Sequence, residues 1–203
     1  RYGGEEFIAL INYEKEEVRN MAYLLVEEVC KNYDVDGICL DFYRHPIFFP
    51  NPANNKPATK ENIEVLKSLM RRIYDMISRE GKRRGKDITL AVRVPDSVEF
   101  CLLLGFDIET WLSEGLIKML VTSGYQQFNT WEYTAALAHK YGAEAYPSLD
   151  EPRILSDKEA NARRWTVPAM RGRCTNALLS GCDGLLLFNY ISGPEPKERY
   201  GVI

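Results

Sequence analysis

The run Gly37-Ile38-Cys39-Leu40-Asp41-Phe42 decides how this chain is built. Successive side chains of an extended strand point to opposite faces. Ile38, Leu40 and Phe42 therefore share one face, large and apolar, while Gly37, Cys39 and Asp41 share the other, small and then polar. Ile88-Thr89-Leu90-Ala91-Val92-Arg93-Val94 repeats the division, with Ile88, Leu90, Val92 and Val94 on one side and Thr89, Ala91 and Arg93 on the other. A parallel sheet covered by helices on both faces has strands that are apolar throughout. One large face toward helices and one small face ending in a polar residue fits the crowded interior of a closed barrel instead.

Working outward, short apolar runs alternate with longer amphipathic ones. Residues 7–11 read as a strand, and 16–31 as a helix with Val18, Met21, Ala22, Leu25, Val26 and Val29 on its apolar stripe. A Pro- and Asn-rich loop fills 46–57. Thr59 caps the next helix, which is expected to end near Glu80 before Gly81; its capping box is incomplete, because Asn62 stands where Glu or Gln is usual. Strands follow at 88–94, 119–122, 145–149 and 184–189, and helices at 97–104, 108–114, 130–141 and, as one long element, 156–179. Strands alternating with helices imply a parallel sheet with right-handed crossovers. The expectation is an α/β fold: one domain over residues 1–203, a parallel (β/α)8 TIM-type barrel of which about five βα units are present and the first units are missing. No internal repeat, low-complexity tract or linker interrupts it.

The chain has 203 residues, 45% hydrophobic and 27% charged, with a net charge of −3. That balance offers no basic field for nucleic acid or an anionic membrane. Lys82–Arg84 read as a loop and Arg163–Arg164 as part of a helix, both solvated surface. No stretch approaches the ~20 apolar residues of a membrane span. The opening Arg1-Tyr2-Gly3-Gly4-Glu5-Glu6 carries no signal peptide and resembles the middle of a longer protein. Five cysteines without CxxC spacing argue for buried free thiols over a disulfide framework or a zinc site. Two histidines, His45 and His139, cannot make a His-rich metal site, and the second falls on a surface helix. Phosphate loops, dinucleotide fingerprints, nucleophile elbows and HExxH are all absent, so no metal and no cofactor is expected.

Chemistry in such a barrel sits at the C-terminal ends of the strands. Polar residues gather there on every clear strand: Asp41, Arg93, Thr122 or Ser123 before Gly124-Tyr125, Tyr146 and Ser148 before Asp150-Glu151, and Asn189-Tyr190. That convergence is the strongest functional signal in the sequence.

Four blocks then resemble bacterial glycosyl-hydrolase-like barrel families. They are the run from Tyr33 to Pro46 (YDVDGICLDFYRHP), Ala91-Val92-Arg93-Val94-Pro95-Asp96, the stretch Gly105–Trp111 with Glu114–Ile117, and Asp183-Gly184-Leu185-Leu186-Leu187-Phe188-Asn189-Tyr190. Their order and spacing span the chain from about Asn12 onward. The resemblance implies a cofactor-free enzyme cleaving a poly- or oligosaccharide, secreted or periplasmic. It also implies that about three further βα units precede Arg1 and that an accessory domain can follow Ile203.

Glycoside hydrolysis uses two carboxyl groups, one donating a proton and the other attacking the sugar or activating water. Asp41 is the first candidate, placed like the fourth-strand carboxylate of amylase-like barrels, with a buried ion pair to Arg93 or Arg44 as its structural alternative. Asp96 and Glu151 compete for the second role; Asp96 can instead cap the helix from Ser97, and Glu151 before Pro152 can simply be solvated. Arg44 and Arg93 grip a carboxylate or a substrate oxyanion. His45, Tyr125, Tyr146, Ser148, Asp150 and Asn189 complete the expected substrate-binding set, while Trp111, Trp131 and Trp165 read as core. Two other classes stay open: an inactive barrel that only binds carbohydrate, and a lyase or isomerase using the same cleft.

Overall fold

A computed structural model describes residues 11–43, 45–122, 127–149, 163–164 and 166–188. In chain order the elements are α1 (Glu16–Asn32), β1 (Gly37–Asp41), α2 (Pro50–Ala53), α3 (Lys60–Arg84), β2 (Thr89–Val94), α4 (Val98–Leu104), α5 (Ile108–Ser113), β3 (Met119–Thr122), α6 (Trp131–Lys140), β4 (Glu144–Pro147) and α7 (Val167–Leu179). The strands form one parallel sheet in the order β1-β2-β3-β4.

That order carries the architecture. Each crossover advances one place in the same direction, and right-handed crossovers of that kind put every connecting helix on the same face of the sheet. A doubly wound sheet reverses direction partway and covers both faces. Leu90, Val92 and Val94 of β2 and Leu120 of β3 bury against Leu66, Met70, Ile73, Met76 and Ile77 of α3, with Phe106 and Trp111 alongside. On the other face Ala91, Arg93 and Val121 are also buried. Gly37, Cys39, Thr89, Ala91, Met119, Val121 and Tyr146 line a mostly apolar cleft of about 350 Å³ there. The two faces follow the alternation of large and small residues in the sequence. Among the described residues the four-stranded sheet is not closed on itself.

Beyond β4 the chain pairs again. Ser148 bridges Leu186 in parallel, the Leu186 amide donates to the Pro147 carbonyl at 3.0 Å, and the Leu149 amide donates to the Leu186 carbonyl at 2.8 Å. The expected strand at 184–189 is represented by that single bridge among the described residues. The expected strand at 7–11 lies almost wholly outside them. At the opposite edge, β1 has no neighbouring strand among the described residues, and Met21, Leu24 and Leu25 of α1 stand exposed.

Several boundaries depart from the sequence reading for identifiable reasons. The capping box on α3 is complete: the Asn62 amide donates to Thr59 Oγ1 at 3.2 Å and the Thr59 amide to Asn62 Oδ1 at 3.0 Å. Asn62 serves where Glu or Gln is usual because its Nδ2 is held by Glu14 at 2.9 Å. α3 runs through Gly81 to a left-handed Gly85 (φ 71°). Gly81 is there for packing, since a Cβ would lie 2.8 Å from the Lys86 carbonyl oxygen. Lys82, Arg83 and Arg84 therefore form the last helical turn, where cations suit the helix dipole, rather than a loop. Pro50 starts a one-turn helix inside the expected loop. Thr166 is extended (φ −66°, ψ 150°) and Pro168 sits in the first turn of α7, so the expected long helix begins afresh at Val167.

Candidate functional site

Arg93 is the centre of the site. Its inward position near the end of β2 leaves only 2% of the residue exposed, and a buried guanidinium needs partners. Register supplies the first, because Asp41 pairs with Arg93 across β1 and β2. Their side chains emerge on the same face, and Arg93 Nη1 donates to Asp41 Oδ2 at 2.9 Å. Nη2 reaches Ser148 Oγ at 3.4 Å, just past β4. The guanidinium also lies over the Phe188 ring, 4.3 Å from its centroid, and 5.2 Å from that of Tyr43. One cation thus collects side chains from both ends of the sheet, with cation–π contacts adding to the charge pair.

Asp41 differs from its partner in exposure: 47% of its side chain meets solvent. Its Oδ1 accepts the Tyr43 amide at 3.0 Å, which fixes the carboxylate plane. An oriented carboxylate open to solvent and backed by a buried cation can meet a ligand directly. Tyr43 and Phe188 escaped the sequence reading, although Tyr43 is the next inward position after Asp41 and the same alternation points to it.

Asp96 is used otherwise. It is 5% exposed, and both oxygens accept the Phe128 amide, at 3.1 and 3.0 Å, while Oδ2 also takes the Asn129 amide at 2.9 Å. Asn129 Nδ2 returns a bond to the Asp96 carbonyl at 2.7 Å. Burial pushes its carboxyl above the usual aspartate range, outweighing the amides that favour the ionised form. Capping of α4 falls to Ser97, whose Oγ accepts the Phe100 amide at 3.2 Å. Asp96 clamps the segment that leads into α6.

The remaining candidates divide. Ser148 joins Asp41 and Arg93 as expected. Tyr146 shares their row, through Arg93 to Val121 and Val121 to Tyr146, yet its side chain leans back along the strand. Its hydroxyl donates to Glu144 Oε2 at 3.0 Å, and its ring covers Gly184 so closely that a Cβ there would lie 2.2 Å from a ring carbon. Burial, with Glu144 beside it, pushes the phenol above its ordinary range. Tyr146 therefore floors the cleft instead of standing at its mouth. Thr122 Oγ1 lies 3.3 Å from Thr134 Oγ1 on the helix side, away from the mouth. His45 is half-buried in the loop after β1. Arg44, Ser123, Tyr125, Asp150, Glu151, Asn189 and Tyr190 lie outside the described residues, as does Trp165; Trp111 is fully buried core and Trp131 packs against it.

His139 is on the surface of α6, 2.8 Å from Asp183 Oδ2, which also accepts the Ala145 amide at 2.8 Å. The amide and then the imidazole hold the Asp183 carboxyl below its usual range. Among the described residues no cluster of three or more His, Cys, Asp or Glu could hold a metal ion, and no helix is long and apolar enough to cross a membrane. Compared with family models and with curated proteins, the chain matches none.

Proposed function

We propose that the sheet is one arc of a (β/α)8 barrel of the glycosyl-hydrolase-like type, and that the chain cleaves a poly- or oligosaccharide at the C-terminal ends of its strands. The one-directional parallel order and the small residues that line a cleft on one face of the sheet support the barrel. The observation that carries the function is Asp41, half exposed and bonded to the buried Arg93 at that end of the sheet. Asp41 serves as one of the two carboxyl groups. Arg93 orients it and Ser148 steadies Arg93. Asp96 is committed to backbone amides, so Glu151 remains the stronger candidate for the second carboxyl.

That commitment of Asp96 also favours a second reading, a barrel that holds carbohydrate without cleaving it. One experiment separates them. Asp41→Asn in the full-length protein keeps the size of the side chain and one acceptor for Arg93 but removes the charge. Hydrolysis of a polysaccharide panel should fall by ~10² or more, because acid–base catalysis alone is worth about 10²–10⁴. The wild type binding polysaccharide without releasing reducing ends would establish the binding module. Unchanged turnover with a lowered melting temperature would end the catalytic role of Asp41.

A further inference from the structure

We propose that Phe128, backed by Phe100, is an outer carbohydrate subsite that receives the C–H face of a neutral pyranose ring one or more units away from the Asp41–Arg93 pair. The inference rests on the glycosidase reading and names the class and length of its substrate. Phe128 is 51% exposed, and its ring packs against that of Phe100 with centroids 5.0 Å apart and planes tilted by 46°. A large aromatic ring left in water on a loop is ordinarily free to move. Here its backbone is pinned by the buried Asp96 carboxylate, which accepts the Phe128 and Asn129 amides, and by the Asn129 side chain returning to the Asp96 carbonyl. Burying a carboxylate opposes folding, and this one is spent on setting the position of a two-residue stretch. The ring is thereby held in place before any ligand arrives, which lowers the ordering cost of binding.

Position and chemistry narrow the ligand. Asp96 lies two residues beyond the end of β2, so Phe128 is fixed at the same end of the sheet as Asp41 and Arg93. Glu99 is exposed on α4 next to Phe100, its carboxylate turned by a bond from Ser97 Oγ at 2.9 Å. Tyr133 on α6 is half-buried, and burial first and then the nearby Glu99 charge push its phenol above the ordinary range. An anionic ring would be repelled there. A neutral sugar sets its C–H face on the aromatic surface and offers hydroxyl donors to the carboxylate, so it matches both features. A ligand engaging both the rim and Asp41 must be a chain of several sugars.

The test uses the full-length protein, its Phe128→Ala and Phe128→Trp variants and Asp41→Asn. Each is titrated calorimetrically with hexasaccharides and disaccharides of β-1,4-glucan, β-1,4-xylan and α-1,4-glucan, and each is melted. Phe128→Ala should weaken hexasaccharide binding about three- to ten-fold, the range of a single aromatic stacking contact. It should leave disaccharide binding unchanged and lower the melting temperature only slightly through the lost Phe100 contact, and Phe128→Trp should restore hexasaccharide affinity. Wild-type binding of a hexasaccharide that Phe128→Ala retains in full would overturn the subsite alone, while loss of turnover in Asp41→Asn would still uphold the hydrolase. Binding through Phe128 with no hydrolysis would uphold the subsite and overturn the hydrolase. A wild type that binds none of the six sugars overturns both.

Discussion

Asp41, closing β1, and Asp96, just past the neighbouring β2, stand at the same end of one sheet and are handled in opposite ways. Asp41 keeps nearly half its side chain in solvent and meets a buried cation; Asp96 is withdrawn from water and meets backbone amides. The first arrangement leaves a carboxylate available to a ligand. The second consumes its lone pairs in holding a loop. Residue type and strand position were the same kind of clue for both, so the separation comes from what each side chain finds around it. Availability, more than proximity to the end of the sheet, marks a candidate catalytic acid.

The contrast breaks most readily at Asp96. Alanine there strands the Phe128 and Asn129 amides, and each unsatisfied donor costs about 1–3 kcal/mol, so Asp96→Ala should lower stability by about 3 kcal/mol in urea unfolding. Asp96→Asn keeps one acceptor and should recover part of that loss. A cost under ~1 kcal/mol for the alanine would mean that water replaces the carboxylate and that the clamp is not structural.

A smaller effect is expected at Asp41. Asp41→Ala removes the Asp41 carboxylate from the buried Arg93 guanidinium, and breaking such a pair costs about 3–5 kcal/mol when both partners are buried. Because Asp41 is half in water, screening should reduce the loss to about 2 kcal/mol. Combining it with Arg93→Met should cost less than the sum of the two single changes, by ~1 kcal/mol. Strict additivity would show that the pair contributes no coupling.

The smallest signal is in pH. Asp96 titrates above the ordinary aspartate value of 3.8 in the folded chain, whereas Asp183 titrates below it. A raised carboxyl contributes most below 3.8 and loses that contribution as pH climbs through its folded value. A lowered one contributes above 3.8 and loses it as pH falls through its folded value. Melting temperatures taken across this window should therefore show the penalty of Asp96→Asn shrinking with rising pH and that of Asp183→Asn growing. Slopes of the same sign would refute the assigned directions.

Much of this was legible in the chain itself, through short-range physics. Alternation in two strands was enough to place Asp41 and Arg93 on one face, because the strands are adjacent and in register. The helix start at Thr59 followed from capping chemistry, whereas the cap of α4 is Ser97 and not Asp96, the residue the sequence offered for it. Three things were hidden. Gly81 looked like a helix stop, but it is a packing glycine whose reason lies in the chain at Lys86. Tyr146 faces inward as alternation requires, yet its tilt toward Glu144 runs along the strand, a direction that a period of two cannot encode. Asp96 could not be assigned because the amides it serves belong to residues 128 and 129, in the next unit of the fold.

The Tyr146 ring resting on Gly184 ties two positions into one inherited unit. No side chain can enter at 184 while the tyrosine keeps its pose, since even a methyl carbon would lie 2.2 Å from the ring, and the hydroxyl bond to Glu144 resists a swing aside. Divergence at this spot must therefore proceed in a fixed order: position 146 shrinks first, and only then can position 184 grow. Related chains should show the pair changing together, with a small residue at 184 wherever an aromatic stands at 146, and a mutational library that varies 184 alone should return almost nothing but glycine.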